Sequence, residues 1–376
     1  MKKTLVALAA LAVTSAFAQS SVTLSGVADV GLTYSNVKKQ NQFPVPGNFN
    51  NVNALGIGSG NNNRLIFSGV EDLGGGLAAT FAFQMRFDPT TGNSEGGGAR
   101  PLFQGESTVG LRGGFGSLKL GRWLSAVQLL NGGTIDPWGV STVAGMPYAA
   151  GYSTSYEAGG EGRIGQAMFY ATPNLGGFTG HLTLGFAKGA TGKTLQSLAG
   201  SYNNGPINAM LGYERNKEGD KLTQLGANYD LGVAKLYAGY GRVKGGTLAD
   251  RGTTAYASGA STAFIGGLNS GTASAAGQGN VTAGGTVTSA TIGANIPLGA
   301  ATIRVGYGRV AGDVIGAVRT TADNKLGLGV NYALSKRTSI YSDIALTTNK
   351  KVLRNGVAGS SGERRTAFDL GIAHSF

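Results

Sequence analysis

The 376-residue chain has no cysteine, nine prolines and two histidines. Beyond its first twenty residues, no apolar run approaches the roughly 20 residues that a membrane-spanning helix needs. The missing thiols exclude a disulfide framework, a cysteine nucleophile and cysteine-ligated metal. Scarce proline beside 66 glycines excludes collagen and Pro-rich disorder, so glycine must serve turns and strands. The two histidines, His181 and His374, stand on different predicted strands with no nucleophile motif beside either, and no metal-ligand spacing occurs. An enzyme, a metal site and a cofactor are therefore not expected.

What is present begins with a leader. Lys2-Lys3, an apolar run from Leu5 to Val13 and the small-residue stretch ending Ala16-Phe17-Ala18 form the three parts of an export signal. Residues 1–18 are expected to be cleaved, leaving 19–376 as one folded unit. Loss of Lys2 and Lys3 leaves 29 basic against 19 acidic residues, a formal +10, which implies an anionic partner. Nucleic acid is excluded as that partner, because no recognition motif or aromatic-basic interleaving accompanies the charge.

Hydrophobicity alternates with period two along the chain, the signature of strands with one greasy and one wet face. Phe81, Phe83, Met85 and Phe87 alternate with Thr80, Ala82, Gln84 and Arg86, and Leu326, Leu328 and Val330 with Lys325, Gly327 and Gly329. The terminal strand sets Phe368, Leu370 and Ile372 against Asp369, Gly371 and Ala373.

Turn-rich links such as Asp72-Leu73-Gly74-Gly75-Gly76, Asn203-Asn204-Gly205-Pro206 and Pro297-Leu298-Gly299 alternate with long Gly-rich loops. Strands are expected near 20–35, 63–70, 77–87, 105–113, 116–123, 163–172, 178–187, 196–203, 206–214, 221–230, 233–243, 286–296, 300–311, 324–333, 337–348 and 365–376. Sixteen antiparallel strands, with short and long connections alternating and aromatics near strand ends, match an all-β transmembrane barrel wide enough for an aqueous lumen. Two loops stand out. Residues 244–285 are nearly uncharged after Arg251, whereas 124–162 is flanked by Trp123 and carries Trp138, Tyr148, Tyr152 and Tyr156, enough aromatic surface to fold inward and narrow the lumen.

An ordered set of segments then resembles the trimeric general porins of neisserial and beta-proteobacterial type. They are Ser21-Val22-Thr23-Leu24-Ser25-Gly26, Glu71-Asp72-Leu73-Gly74-Gly75-Gly76-Leu77, Ser107-Thr108-Val109-Gly110-Leu111, Gly116-Ser117-Leu118-Lys119-Leu120-Gly121-Arg122, Tyr170-Ala171-Thr172-Pro173-Asn174-Leu175-Gly176-Gly177-Phe178, Tyr332-Ala333-Leu334-Ser335-Lys336-Arg337-Thr338 and the final Phe376. The resemblance implies an outer-membrane homotrimer whose third loop, here 124–162, forms the constriction of a channel for small hydrophilic solutes and ions. It implies a basic wall of Arg64, Arg122 and Arg163, with Arg86, Lys119 and Arg304 on the same polar face by alternation, and an acidic side led by Asp136, with Glu157 and Glu161 as further loop acids and Glu106 from the fourth strand. Arg86 makes the lumen more basic than in many relatives; Glu106, inward on its strand, works against an anion preference. Arg and Lys at a narrow point favour anions.

Phe376 resembles the signal read by barrel assembly machinery. Lys38, Lys39, Lys350, Lys351 and Arg354 fall in loops where outer-membrane lipid or lipopolysaccharide phosphates are the expected partners. Several bland readings stay open: the arginines as loop-end charges, Asp136 as a cap before Pro137. So do a substrate-specific channel, an adhesin-like barrel and a soluble sandwich.

Overall fold

The computed structural model describes residues 21–39, 52–95, 101–146, 163–188, 192–247, 284–312, 321–350, 352–354, 357–360 and 363–376. The expected leader, Glu157, Glu161, Lys351 and most of the 244–285 loop lie outside them. The strands are β1 (Ser21–Lys39), β2 (Val52–Gly58), β3 (Arg64–Gly74), β4 (Leu77–Arg86), β5 (Glu106–Gly113), β6 (Gly116–Leu124), β7 (Arg163–Ala171), β8 (Phe178–Gly185), β9 (Gln196–Asn204) and β10 (Ile207–Arg215). They continue as β11 (Lys221–Asp230), β12 (Lys235–Lys244), β13 (Thr286–Leu298), β14 (Ala301–Gly312), β15 (Thr321–Ala333), β16 (Thr338–Lys350), β17 (Val352–Arg354), β18 (Val357–Ser360) and β19 (Glu363–Ser375). One helix, α1 (Ala126–Ile135), follows β6.

Successive wall strands pair antiparallel, β16 with β19 past the β17–β18 hairpin, and β1 closes the wall by pairing with β19 along Val27–Lys39. β2 and β3 share one wall position. β2 pairs with the upper part of β1, Gly31 to Val37, and β3 with the lower part, Ser21 to Val27. The wall therefore has sixteen positions, as alternation and turn chemistry predict, with the second broken at 59–63. The sequence reading has no strand at 52–58; its Leu55 and Ile57 are too few apolar positions to stand out among the Asn and Gly around them. The short hairpin of β17 and β18 stands apart from the wall.

The wall is apolar outside and polar inside. Leu24, Leu32, Leu55, Leu120, Leu198, Leu211, Ile292 and Leu328 are exposed outward, while Thr33, Gln224, Asn228, Ser289, Thr291, Asp343 and Asp369 are buried inward. So wide an apolar outer surface is incompatible with water and suits hydrocarbon. That settles the alternation against a soluble sandwich, whose apolar faces would turn inward. No helix among the described residues is long and apolar enough to cross a membrane.

The last residue belongs to the seam. The Phe376 amide donates to Gly26 O at 3.1 Å and the Gly26 amide to Phe376 O at 2.9 Å. A Cβ on Gly26 would meet Phe376 Cζ at 2.6 Å, so the ring needs glycine beneath it.

Candidate functional site

The loop after β6 enters the barrel as α1. Ser125 caps it, its hydroxyl accepting from the Gln128 amide at 3.4 Å. Gly132 and Gly133 disfavour helix by about 1 kcal/mol each relative to alanine, so tertiary packing must hold this one. That packing is apolar: Ala126, Val127, Leu130 and Ile135 cluster with Ala199, Met210, Leu222, Val243, Val287 and Val310 from the inner faces of β9 to β14.

From the last turn of α1 onward the loop is strapped to the wall. Asn228 Nδ2 donates to the Gly133 and Thr134 carbonyls, and Asn295 Nδ2 to Pro137 O at 3.2 Å. Trp138 Nε1 donates to Asp343 Oδ1 at 2.6 Å, the Val143 amide to Asp369 Oδ2 at 2.9 Å, and Lys325 Nζ to Gly145 O. The loop then reaches the break between β2 and β3: the Thr142 amide donates to Gly60 O at 2.6 Å, and Ser141 Oγ to Asn61 Oδ1 at 2.9 Å. Asp29 and Tyr341 hold the break itself, for Asp29 accepts from the Gly60 and Asn61 amides and from the Tyr341 hydroxyl. The missed strand β2 thus ends where the inward loop docks.

Glycine makes room for it. Side chains added at Gly226 and Gly239 would strike Ile135, and one at Gly293 would strike Pro137. A Cβ on Gly306 would lie 2.8 Å from Trp138 Cζ3, and one on Gly327 would lie 3.0 Å from both Trp138 Cη2 and Met146 Cε. These five glycines thus form a track under the loop, a use that turn chemistry alone does not disclose.

Asp136, expected on the acidic side of the constriction, is turned into the loop. It is 2 % exposed, and its oxygens accept from the amides of Trp138 at 3.1 Å, Val140 at 2.7 Å and Met146 at 2.9 Å. The turn-capping reading describes this geometry. Burial pushes the carboxyl from 3.8 up to about 6, against the pull of the three amides and of Lys325. A folded-state value above the unfolded one means the folded chain takes up a proton as pH falls through about 6, so Asp136's contribution to stability rises on acidification and levels off below its unfolded value. Relative to Asp136→Asn, the wild type should gain up to about 3 kcal/mol of unfolding free energy between about pH 7 and pH 4. Denaturant titrations of both proteins across that range check it, and a pH-independent difference would refute it.

The basic residues gather on β3 to β7. Arg64 and Arg86 are direct cross-strand partners, with Arg64 Nη1 donating to Asn62 O at 3.4 Å. Arg122 stands at a register shift where two residues of β7, Gly165 and Gln166, oppose it alone, and Gly121 beside it adopts φ 132°, open to glycine. Its Nε donates to Gln104 O at 3.1 Å, and buried Arg163 sends its Nε to Gly105 O at 2.8 Å. Two arginines from adjacent strands thus converge on one dipeptide. Arg304 lies on another sector, β14, and is not brought to this group.

Two carboxylates temper the field. Glu106 Oε1 accepts from Lys119 Nζ at 2.9 Å, which brings this expected acid of the constriction beside the basic residues of the wall. Lys119 also lies 4.0 Å over the Trp123 ring, and Glu95, which sequence reasoning missed, pairs with Arg86 at 3.7 Å. The straps Asp29, Asp343, Asp369 and Lys325 were missed as well. Their inward, polar-face positions were readable, but which element they face depends on the docked loop.

His181 stands near Ser201 Oγ at 3.4 Å and His374 hydrogen-bonds Thr338 at 2.9 Å; neither adjoins a catalytic grouping. No group of metal-ligating side chains occurs among the described residues.

Comparison with known proteins fits this geometry. The Gram-negative porin family matches residues 4–352. Outer membrane porin protein 32 of Delftia acidovorans is 30% identical over 404 aligned positions, covering 100% of both chains. A major outer membrane protein P.IB of Neisseria meningitidis is 32% identical over 47% of this chain and 52% of its own. Among solved structures, an anion-selective porin from Comamonas acidovorans superposes with TM-score 0.71 at 25% identity, covering 95% of this chain and 100% of that one.

Proposed function

The chain belongs to the Gram-negative porin family, and from that premise we propose that it is a trimeric outer-membrane channel, without a catalysed reaction, that passes small hydrophilic solutes with a preference for anions. Its placement in the outer membrane follows from family and fold. The anion preference is supported chiefly by the convergence of Arg122 and Arg163 on Gln104 and Gly105, beside the Arg64–Arg86 pair. The name of its relative, an anion-selective porin, supports the same sign.

A diffusion pore needs a hydrated path and fixed charges where the path narrows. The strapped loop narrows the lumen from the side running from β9 to β19, and the guanidinium groups lie on β3 to β7. Asp136 serves here as the organiser of the loop's turn. Phe376 is the residue that assembly machinery would read, and lipopolysaccharide surrounds the barrel's upper rim.

Single-channel recording of the purified trimer in a planar bilayer tests the function. Steps in groups of three with a chloride-selective reversal potential across a potassium chloride gradient are expected, and folded protein without steps would overturn the channel. Glu106→Gln carries a second test. It frees the Lys119 ammonium from its partner, so chloride preference should rise by a factor of about two, the worth of one partly screened charge near the path. A fall in preference would remove Lys119 from the wall.

A further inference from the structure

We propose that Lys119 and Trp123 on β6 form a lumenal subsite for aromatic carboxylates, the solute ring lying against the indole and its carboxylate on the ammonium. The inference deepens the channel reading, on which it rests, by naming a solute class.

Alternation puts both residues on the inner face. Leu120 is 55 % exposed on the outside, which turns Lys119 and Trp123 inward, and β7 sets buried Phe169 opposite the lysine and buried Ile164 opposite the tryptophan. Among the described residues, Trp123 and Phe169 are the only aromatic rings on the inward rows of β3 to β8. The phenylalanines of β4 and the tyrosine of β7 alternate outward.

The indole is held in place. Phe169 meets it edge-on, with centroids 5.9 Å apart at 76°, and Ile164 and Leu195 pack with the pair. Part of the Trp123 side chain nevertheless stays exposed. A pore wall carries groups that stand in for a solute's hydration, and an indole does that for no anion. Apolar surface left in water does gain when another flat apolar surface covers it. The described part of the inward loop docks on β9 to β19 and at the break between β2 and β3, so the patch borders the path that stays open.

The charge beside the ring selects acids. Lys119 Nζ stands 4.0 Å from the centroid of the Trp123 ring and 2.9 Å from Glu106 Oε1, and its side chain is 25 % exposed. An ammonium carries three donors, so pairing with Glu106 leaves donors for a second carboxylate. With ammonium and indole this close, an acid whose carboxylate sits directly on a flat ring touches both at once, whereas acetate touches only the first.

The test titrates chloride current through the wild-type trimer in a planar bilayer with benzoate, cyclohexanecarboxylate and acetate. Benzoate should block at a concentration at least about tenfold below that of acetate, because only benzoate covers the indole. It should also block about threefold below cyclohexanecarboxylate, the worth of a ring contact beyond its area. Trp123→Leu keeps an apolar side chain against Ile164 and Leu195; it should raise the benzoate concentration about fivefold relative to acetate, and Trp123→Phe should restore most of the difference. Equilibrium binding is read separately, from the tryptophan fluorescence of the trimer in detergent under benzoate titration, since the chain has two tryptophans and Trp138 is buried. A saturating fluorescence response from protein that does not conduct would sink the channel and leave the subsite standing. Equal block of wild type by benzoate and by either of the other acids, or an unchanged ratio in Trp123→Leu, would overturn the proposal, as would fluorescence that benzoate does not alter.

Discussion

Replacing Arg122 and Arg163 together by serine is expected to lower the chloride-to-potassium permeability ratio severalfold while the channel keeps conducting. A unit charge about 6 Å from a hydrated ion is worth about 0.7 kcal/mol at the dielectric constant of water, close to a threefold change in local anion concentration. Two such charges give about tenfold, and a Debye length of about 10 Å at 0.1 M salt trims this without abolishing it. Each side chain also donates through Nε to the 104–105 backbone, so serine removes a bond as well as a charge.

Lysine at both positions separates the two effects, because it keeps the charge and loses the planar fork. If the charge selects, the lysine pair should hold most of the chloride preference and the serine pair should not. The reversal potential across a potassium chloride gradient decides. An unchanged potential in the serine variant would mean these arginines only brace the 104–105 segment.

The barrel wall was legible because period-two alternation is a property of neighbours in sequence, and fifteen of its sixteen positions follow from it strand by strand. The broken second position was not. At 52–63 the chain divides its pairing between two stretches of β1, and the break is stabilised by Asp29 and Tyr341, residues that no local pattern connects to Asn61. The helix α1 was equally hidden: Asn131-Gly132-Gly133 argues against helix, and only contact with β9 to β14 outweighs that preference.

The site shows the same division. Trp138 was readable as an anchor from its size and its place in a long loop, and Arg122 and Arg163 from the motifs around them. The partners of all three lie on elements far away in sequence. Asp136 looked equally like a pore acid and a turn cap, since both uses place a short carboxylate before proline; the three amides that close on it distinguish them.

The glycine track leads to the second large effect. Gly306 and Gly327 lie beneath Trp138 and Met146, where even one carbon would crowd them at 2.8 to 3.2 Å. Valine at both positions cannot be met by small side-chain shifts, because the Trp138 ring is 4 % exposed and its Nε1 is tied to Asp343. Overpacking of this kind costs about 1–3 kcal/mol per site, comparable with the few net hydrogen bonds, about 1 kcal/mol each, that strap the loop. The wall ladder does not depend on the loop, since every pairing of β14 and β15 runs between backbones. Gly306→Val with Gly327→Val is therefore expected to release the loop and leave the barrel closed, raising unitary conductance by about half or more as the loop moves off the path. Gly200→Val, at an outward position with open space around it, should leave conductance unchanged. If the double valine variant conducts like wild type, the loop is not what narrows the lumen, and the constriction must lie in the wall itself.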